Sequence, residues 1–323
     1  MNYILLIIGF ALLIKGADIF VDGASNVAKK FGIPAVIVGL TIVSIGTSAP
    51  ELAVSIIASL KGANEITMGN ILGSNIFNTL MVLGVTSIIM PIVIKKSTIS
   101  KDFIISIMVS ILLLILTFGS LPFGGTSKIS RVSGIILIGV CISYIISLII
   151  STKKSSGLNE ENESEESEEE VKVFSCIVKI LVGIVGVVIG GEMVVDSATN
   201  IAIAFGMSQK LIGLTIVAVG TSLPELVTSM VAAIKGENDI ALGNVFGSNI
   251  FNILLILGVS STISPIEVSA QLGIDLIFLI VVTLILGGFI LVGESRKSKL
   301  SKKEGIVLVL IYVAYIVYIL MRN

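Results

Sequence analysis

Two glutamates stand in unusually apolar surroundings. Glu51 closes Gly46-Thr47-Ser48-Ala49-Pro50-Glu51, and Glu225 closes Gly220-Thr221-Ser222-Leu223-Pro224-Glu225. Downstream of each runs a block rich in small and amide side chains, Gly69-Asn70-Ile71-Leu72-Gly73-Ser74-Asn75-Ile76-Phe77-Asn78 and its counterpart over 243–252. Carboxylates, Thr and Ser hydroxyls, Asn amide oxygens and carbonyls freed by proline are all hard oxygen donors. Calcium takes about six to eight oxygens at roughly 2.3–2.6 Å with tolerant geometry, and sodium is a hard cation of similar size. Two ionised glutamates are neutralised by one divalent or two monovalent cations, which is a physical basis for competition at one site. Softer metals lack their ligands: there is no histidine, and Cys141 and Cys176 have no metal-type spacing.

The elements that must position these groups follow from composition. Of 323 residues 54% are hydrophobic and 13% charged, with a mean hydropathy of +1.09; soluble domains carry about a quarter charged residues. The net charge of −1 offers no basic excess for nucleic acid. Ten apolar runs, at 3–22, 34–60, 66–90, 102–119, 130–150, 173–198, 208–234, 240–264, 270–292 and 304–321, are each long enough to cross a bilayer. Lys15, Asp18 and Asp22 mark the first as a span rather than a cleavable leader. An outside N-terminus puts fourteen Lys and Arg in inside loops and five outside, so both termini are expected outside. Residues 152–172, with eight Glu between 160 and 170, read as a solvated cytoplasmic linker.

That linker separates halves at 1–151 and 173–323. Residues 39–78 and 213–252 align without a gap at an offset of 174, with 25 of 40 positions identical. The match continues outward through Gly16 with Gly190, Asp18 with Glu192, Asp22 with Asp196, Gly32 with Gly206 and Pro91 with Pro265. Five crossings per half make the second half enter from the opposite side. The expected fold is therefore an all-α membrane protein of ten transmembrane helices in two inverted five-helix repeats, an architecture that places a transport site at mid-membrane. Pro50 and Pro224 should break helices 2 and 7 and free carbonyls near Val43, Ser44 and Thr47 and near Val217, Ala218 and Thr221. A capping box, Ser48-x-x-Glu51, is the plainer use of the same residues. It does not explain why a carboxylate, costing at least about 2.5–3.5 kcal/mol at a helix centre in the membrane, occurs at two symmetric places. Gly69-x-x-x-Gly73 and Gly243-x-x-x-Gly247 read as close helix contacts. Ser74 and Asn78 lie four apart on one face, and their oxygens are expected to face Glu51 and Glu225 across the packed interface.

The paired GTSxPE and GNxxGSNIFN blocks resemble the alpha repeats of the cation/calcium antiporter superfamily, and within it the prokaryotic sodium/calcium exchangers. The resemblance spans both halves. It implies antiport of sodium against calcium by alternating access, expelling calcium, in the plasma membrane of a prokaryote, with one chain as the transport unit and no cofactor or enzyme activity. By that resemblance Glu51, Glu225 and the backbone of Thr47 and Thr221 would hold calcium. Ser48, Ser74 and the carbonyl of Ser44 would complete one flanking sodium position; Ser222, Ser248 and the carbonyl of Ala218 would complete the other. Asn78 and Asn252 would line the middle, and spans one and six would slide against the rest. Some members carry Asp where this chain has Asn252, which makes the site here more symmetric. Proton/calcium antiport on the same fold and a passive cation channel are the alternatives. Asp18, Asp22, Glu192 and Asp196, near the ends of spans one and six, read as interfacial or loop-pairing carboxylates, with a role in ion access as the alternative.

Overall fold

The computed structural model describes residues 2–119, 126–156, 173–207, 218–291 and 297–322. Hydrocarbon offers no partner to a peptide group, so the apolar runs satisfy their backbone internally as helices. These are α1 (Asn2–Lys30), α2 (Ala35–Thr47), α3 (Ala49–Leu60), α4 (Glu65–Ile89), α5 (Lys96–Phe118), α6 (Arg131–Ser156), α7 (Val173–Ala204), α8 (Leu223–Ile234), α9 (Asn238–Ile263), α10 (Ala270–Leu291) and α11 (Lys302–Arg322). Among the described residues eight helices are long and apolar enough to cross a membrane, and α2 with α3, meeting at 50°, makes nine. Of the run at 208–234, residues 208–217 lie outside the described part; a helical turn at Ala218–Gly220 and then α8 represent it. The acidic stretch 157–172 also lies outside, and α6 runs on through Ser156, past the expected start of the linker at 152.

Helix ends obey the repeat. The positive-φ glycines among the described residues are Gly32 (58°), Gly62 (71°), Gly206 (79°) and Gly236 (81°). After each, the next N–H reaches back to close the helix: Ile33 to Ala28, Ala63 to Ala58, Met207 to Ala202 and Glu237 to Ala232. This left-handed cap strains any residue with a Cβ. It carries α1 to Lys30, well beyond the expected limit at residue 22, with Ala24, Ser25 and Ala28 buried on the added turns. Pro91 and Pro265 stop α4 and α9, forcing Met90 (φ −133°, ψ 111°) and Ser264 (φ −142°, ψ 124°) into extended conformation. Short strands follow, a departure from a purely helical chain. β1 (Ile92–Lys95) pairs antiparallel with β4 (Lys297–Leu300), and β2 (Lys128–Ile129) with β3 (Ile266–Glu267). Pairing gives the connecting backbone the partners that helix ends lack.

α4 and α9 occupy the centre, with 78% and 94% of their apolar windows buried. Their twin phenylalanines each meet a tyrosine edge-on, Phe77 against Tyr312 of α11 and Phe251 against Tyr144 of α6. α1 and α7 run side by side in opposite directions on a stripe of glycine that the sequence reading did not single out. A Cβ at Gly16 would lie 2.6 Å from Val187 N, one at Gly183 2.6 Å from Phe20 Cα, and one at Gly190 2.5 Å from Leu13 N. The G-x-x-x-G reading holds for α9, where a Cβ at Gly243 would meet Val36 O and one at Gly247 would meet Leu40 O, both at 2.6 Å. Beside Gly69 and Gly73 no described residue comes within 4 Å of the Cβ position.

Gly16→Leu is expected to push α1 off α7 and cost about 1–3 kcal/mol, seen as a melting temperature several degrees lower. Gly288→Ala, in open space on α10, should be neutral or stabilising by up to about 1 kcal/mol. The buried thiols of Cys141 and Cys176 report the transition through their reaction with a thiol-specific dye in detergent.

Candidate ion-binding site

The bend between α2 and α3 turns on two residues. Ser48 leaves helical geometry (φ −83°, ψ 10°), and Pro50 sits in the first turn of α3. Because Pro50 has no N–H, the carbonyl of Gly46 loses its helical partner. The carbonyl of Ser44 does not: it accepts from Ser48 N (3.0 Å) and from Thr47 Oγ1 (3.3 Å). The release of carbonyls expected around Ser44 is therefore displaced toward Gly46. Ser222 (φ −96°, ψ 7°) and Pro224 repeat the arrangement before α8. Glu51 and Glu225 thus stand in first turns of helices, where unpaired N–H groups carry partial positive charge.

Neither Ser48 nor Ser222 caps its helix with its side chain. The capping box is replaced by a crossed arrangement. Ser48 Oγ donates to Glu225 Oε1 (2.7 Å), and Ser222 Oγ donates to Glu51 Oε1 (3.2 Å). The downstream blocks complete each group: Ser74 Oγ donates to Glu51 Oε1 and Ser248 Oγ to Glu225 Oε1, both at 3.5 Å. Ser222 Oγ also lies 3.1 Å from Ser74 Oγ. Both glutamates are fully buried. Oε2 of each has no hydrogen-bond partner among the described residues, and the ion pairs found there all belong to other acids.

The polar lining continues along α4 and α9, which both widen into π-helical bulges at this level, Asn78–Val82 and Asn252–Leu257. Such bulges open one face of a helix. Asn78 has neither amide atom hydrogen bonded among the described residues. Asn252 Nδ2 donates to Asn75 Oδ1 (2.9 Å), which leaves its own Oδ1 unpaired. Thr47 Oγ1 donates to Asn244 Oδ1 (3.0 Å), whereas the buried Thr221 Oγ1 has no partner among the described residues. Ser44 is buried, its hydroxyl bonded to Leu40 O (2.7 Å), and Ala218 opens the turn before Thr221.

Three pairs of supporting residues escaped the sequence reading. Asn70 Nδ2 donates to Ser55 Oγ (3.1 Å) and to Glu51 O (3.4 Å); Asn244 Nδ2 donates to Ser229 Oγ (2.9 Å) and to Glu225 O (3.4 Å). These amides tie the glutamate helices α3 and α8 to α4 and α9. Asn75 Nδ2 donates to Asn249 O (3.1 Å) and Asn249 Nδ2 to Thr79 Oγ1 (2.9 Å), lacing α4 to α9. The signal was present: Asn70, Ser74 and Asn78 recur every four residues on one helical face.

Chemically, the site offers two carboxylates with unused oxygens, four serine hydroxyls and two amides in a dry interior. A hydroxyl that donates to a carboxylate can rotate and present its lone pairs to a cation instead. All the donors are oxygen or amide, and clusters of three or more His, Cys, Asp or Glu are absent among the described residues. The arrangement therefore suits a hard cation held by few charges and many neutral oxygens.

Residues 1–153 and 175–321 match the family described as Sodium/calcium exchanger protein. CaxA of Alkalimonas amylolytica is 37% identical over 319 residues, covering 97% of this chain and 96% of its own. The sodium/calcium exchanger MaX1 of Methanosarcina acetivorans is 32% identical over 348 residues, covering 98% and 97%. Among solved structures, the sodium-calcium exchanger NCX_Mj soaked with zero sodium and calcium superimposes with a TM-score of 0.81 at 31% identity, over 98% of both chains.

Because each serine serves the glutamate of the other half, Ser48→Ala and Ser222→Ala are expected to weaken calcium binding alike. A hydrogen bond to a charged group is worth about 1.5–3 kcal/mol, roughly 10- to 100-fold in affinity. Equilibrium binding of calcium-45 to the purified protein measures both.

Proposed function

The chain belongs to the sodium/calcium exchanger protein family and is a multi-pass sodium/calcium antiporter; from that premise we propose that Glu51 and Glu225 form one mid-membrane site which calcium and sodium occupy in turn. The observation that carries this is the crossed pair of buried carboxylates, each with one oxygen held by serines and the other without a partner among the described residues. Calcium takes the unused oxygens of both glutamates, together with the backbone of Thr47 and Thr221. Sodium takes the flanks, at Ser48, Ser74 and the Ser44 carbonyl on one side, once Thr47 Oγ1 releases that carbonyl, and at Ser222, Ser248 and the Ala218 carbonyl on the other. Asn78 and Asn252 line the middle. Because the two ion loads draw on the same carboxylates, they exclude one another, and exclusion is what couples the gradients.

The chain crosses the membrane ten times as two inverted repeats. What supports this is the offset of 174, which maps the contacts Ser48–Glu225, Ser74–Glu51 and Asn70–Ser55 onto Ser222–Glu51, Ser248–Glu225 and Asn244–Ser229. Both termini lie outside the plasma membrane of a prokaryote, and what supports the orientation is the excess of Lys and Arg in the loops taken as inside. One chain holds a whole site and is the transport unit. α1 and α7, keyed together by their glycines, slide as a pair to expose the site to either face, and an inward sodium gradient drives calcium out. If a cycle moves one net charge, it draws about 2.3 kcal/mol per 100 mV.

In proteoliposomes loaded with sodium, calcium-45 uptake is expected on dilution into sodium-free medium, and Glu51→Gln or Glu225→Gln should abolish it. Uptake driven equally by a pH gradient without sodium would replace sodium with protons as the coupling ion. Single-channel currents in planar bilayers would make the protein a channel.

A further inference from the structure

The repeat places Lys61 and Lys235 at the same point of two Lys-Gly turns, and aligns Asp18 and Asp22 of α1 with Glu192 and Asp196 of α7. The two turns share their backbone, with Gly62 at φ 71° and Gly236 at φ 81°. Their side chains do not share surroundings. Lys235 Nζ lies 2.5 Å from Asp18 Oδ1 and 2.6 Å from Asp22 Oδ1, and donates to the Asp18 carbonyl (2.9 Å). Two residues on, Glu237 accepts from Ser25 Oγ (2.5 Å) and sits 3.8 Å from Lys29 Nζ. The α8–α9 turn is therefore fastened to α1. At the twin place, Lys61, Glu192 and Asp196 are all exposed and none of them enters an ion pair among the described residues. Partial burial works against the charge of Lys235, but the bonds to Asp18 and Asp22 prevail and hold its pKa above the ordinary lysine value.

We infer that Lys235 and Lys61 are alternating latches of the exchange cycle: Lys235 clasps α1 in the state seen here, and Lys61 clasps Glu192 and Asp196 of α7 in the opposite state. The inference rests on the proposed sliding of α1 and α7 as a pair. The geometry suits it. The helices run antiparallel with Gly16 against Val187, so Asp18 and Asp22 lie toward one end of the pair and Glu192 and Asp196 toward the other. Movement that withdraws the first two from Lys235 carries the second two toward Lys61. Partly exposed ion pairs bias an equilibrium only about 5-fold each, enough to hold a state and too little to trap it.

The test is reversible cross-linking in full-length protein with Cys141 and Cys176 replaced by alanine. Asp22→Cys with Lys235→Cys, and Asp196→Cys with Lys61→Cys, are bridged in proteoliposomes during sodium/calcium turnover by a short bifunctional methanethiosulfonate, which replaces the reach of the lysine stem and forms a mixed disulfide with each thiol as sulfinate leaves. Both pairs are expected to cross-link, each stopping calcium-45 exchange until a reductant restores it. Failure of the second pair to cross-link where the first does, or exchange that continues through either cross-link, overturns the latch. As a second readout, Lys235→Gln and Lys61→Gln should shift the ratio of apparent calcium affinities at the two membrane faces about 5-fold in opposite directions; shifts in the same direction overturn it. The unsubstituted protein and then the cysteine-free parent are assayed first, and the cross-links are made only in a parent that retains exchange. Absence of exchange in the unsubstituted protein counts against the antiport reading, while the pattern of cross-links still decides the latch.

Discussion

Two carboxylates held deep in a low-dielectric interior, with no ion pair to a basic side chain among the described residues, set the terms for everything else in this protein. An ionised acid in such a place must be met by dipoles, by hydroxyl donors or by a cation. The fold supplies the first two. Breaking each glutamate helix at a serine two residues before a proline puts a helix start, with its unpaired N–H groups, in the middle of the bundle instead of at its surface. Serines from both halves hold one oxygen of each carboxylate. In the proposed cycle the cation is the part that comes and goes.

The surrounding helices serve precision. α4 and α9 are nearly enclosed, and their asparagines tie α3 and α8 in place through Ser55 and Ser229. One departure from the repeat has a traceable effect. Thr79 has Ile253 as its counterpart, so Asn249 finds a hydroxyl to bond while Asn75 turns to a backbone carbonyl and holds Asn252. Asn78 has no such hold among the described residues. A single hydroxyl present in one half and missing in the other thereby makes two identical amides unequal.

Much of this was legible in the chain. The glutamates, the serines and the breaks showed themselves because charge and proline are conspicuous in an apolar run, and duplication displayed each of them twice. The crossed pairing was not legible: spacing puts Ser48 one turn from Glu51, and only the tertiary arrangement reveals that its partner is Glu225. The supporting asparagines were passed over because amides in a membrane helix read equally as helix–helix glue. The strand pairs were missed because segments of two to four residues leave no hydrophobic period to detect. The glycine stripe of α1 and α7 was hidden for a related reason, since its contacts join positions more than 160 residues apart, such as Gly16 and Val187.

The exchange of serines between halves bears on ancestry. A half-length precursor would have carried the carboxylate with the serine of its own downstream block but without the nearer hydroxyl, which now arrives from the other copy. On the proposed cycle such a gene product would complete its site by pairing with its own duplicate, each lending the other a serine. Fusion into one chain would leave the two copies free to differ, as Thr79 and Ile253 do, while the reciprocal loan ties each half to the other.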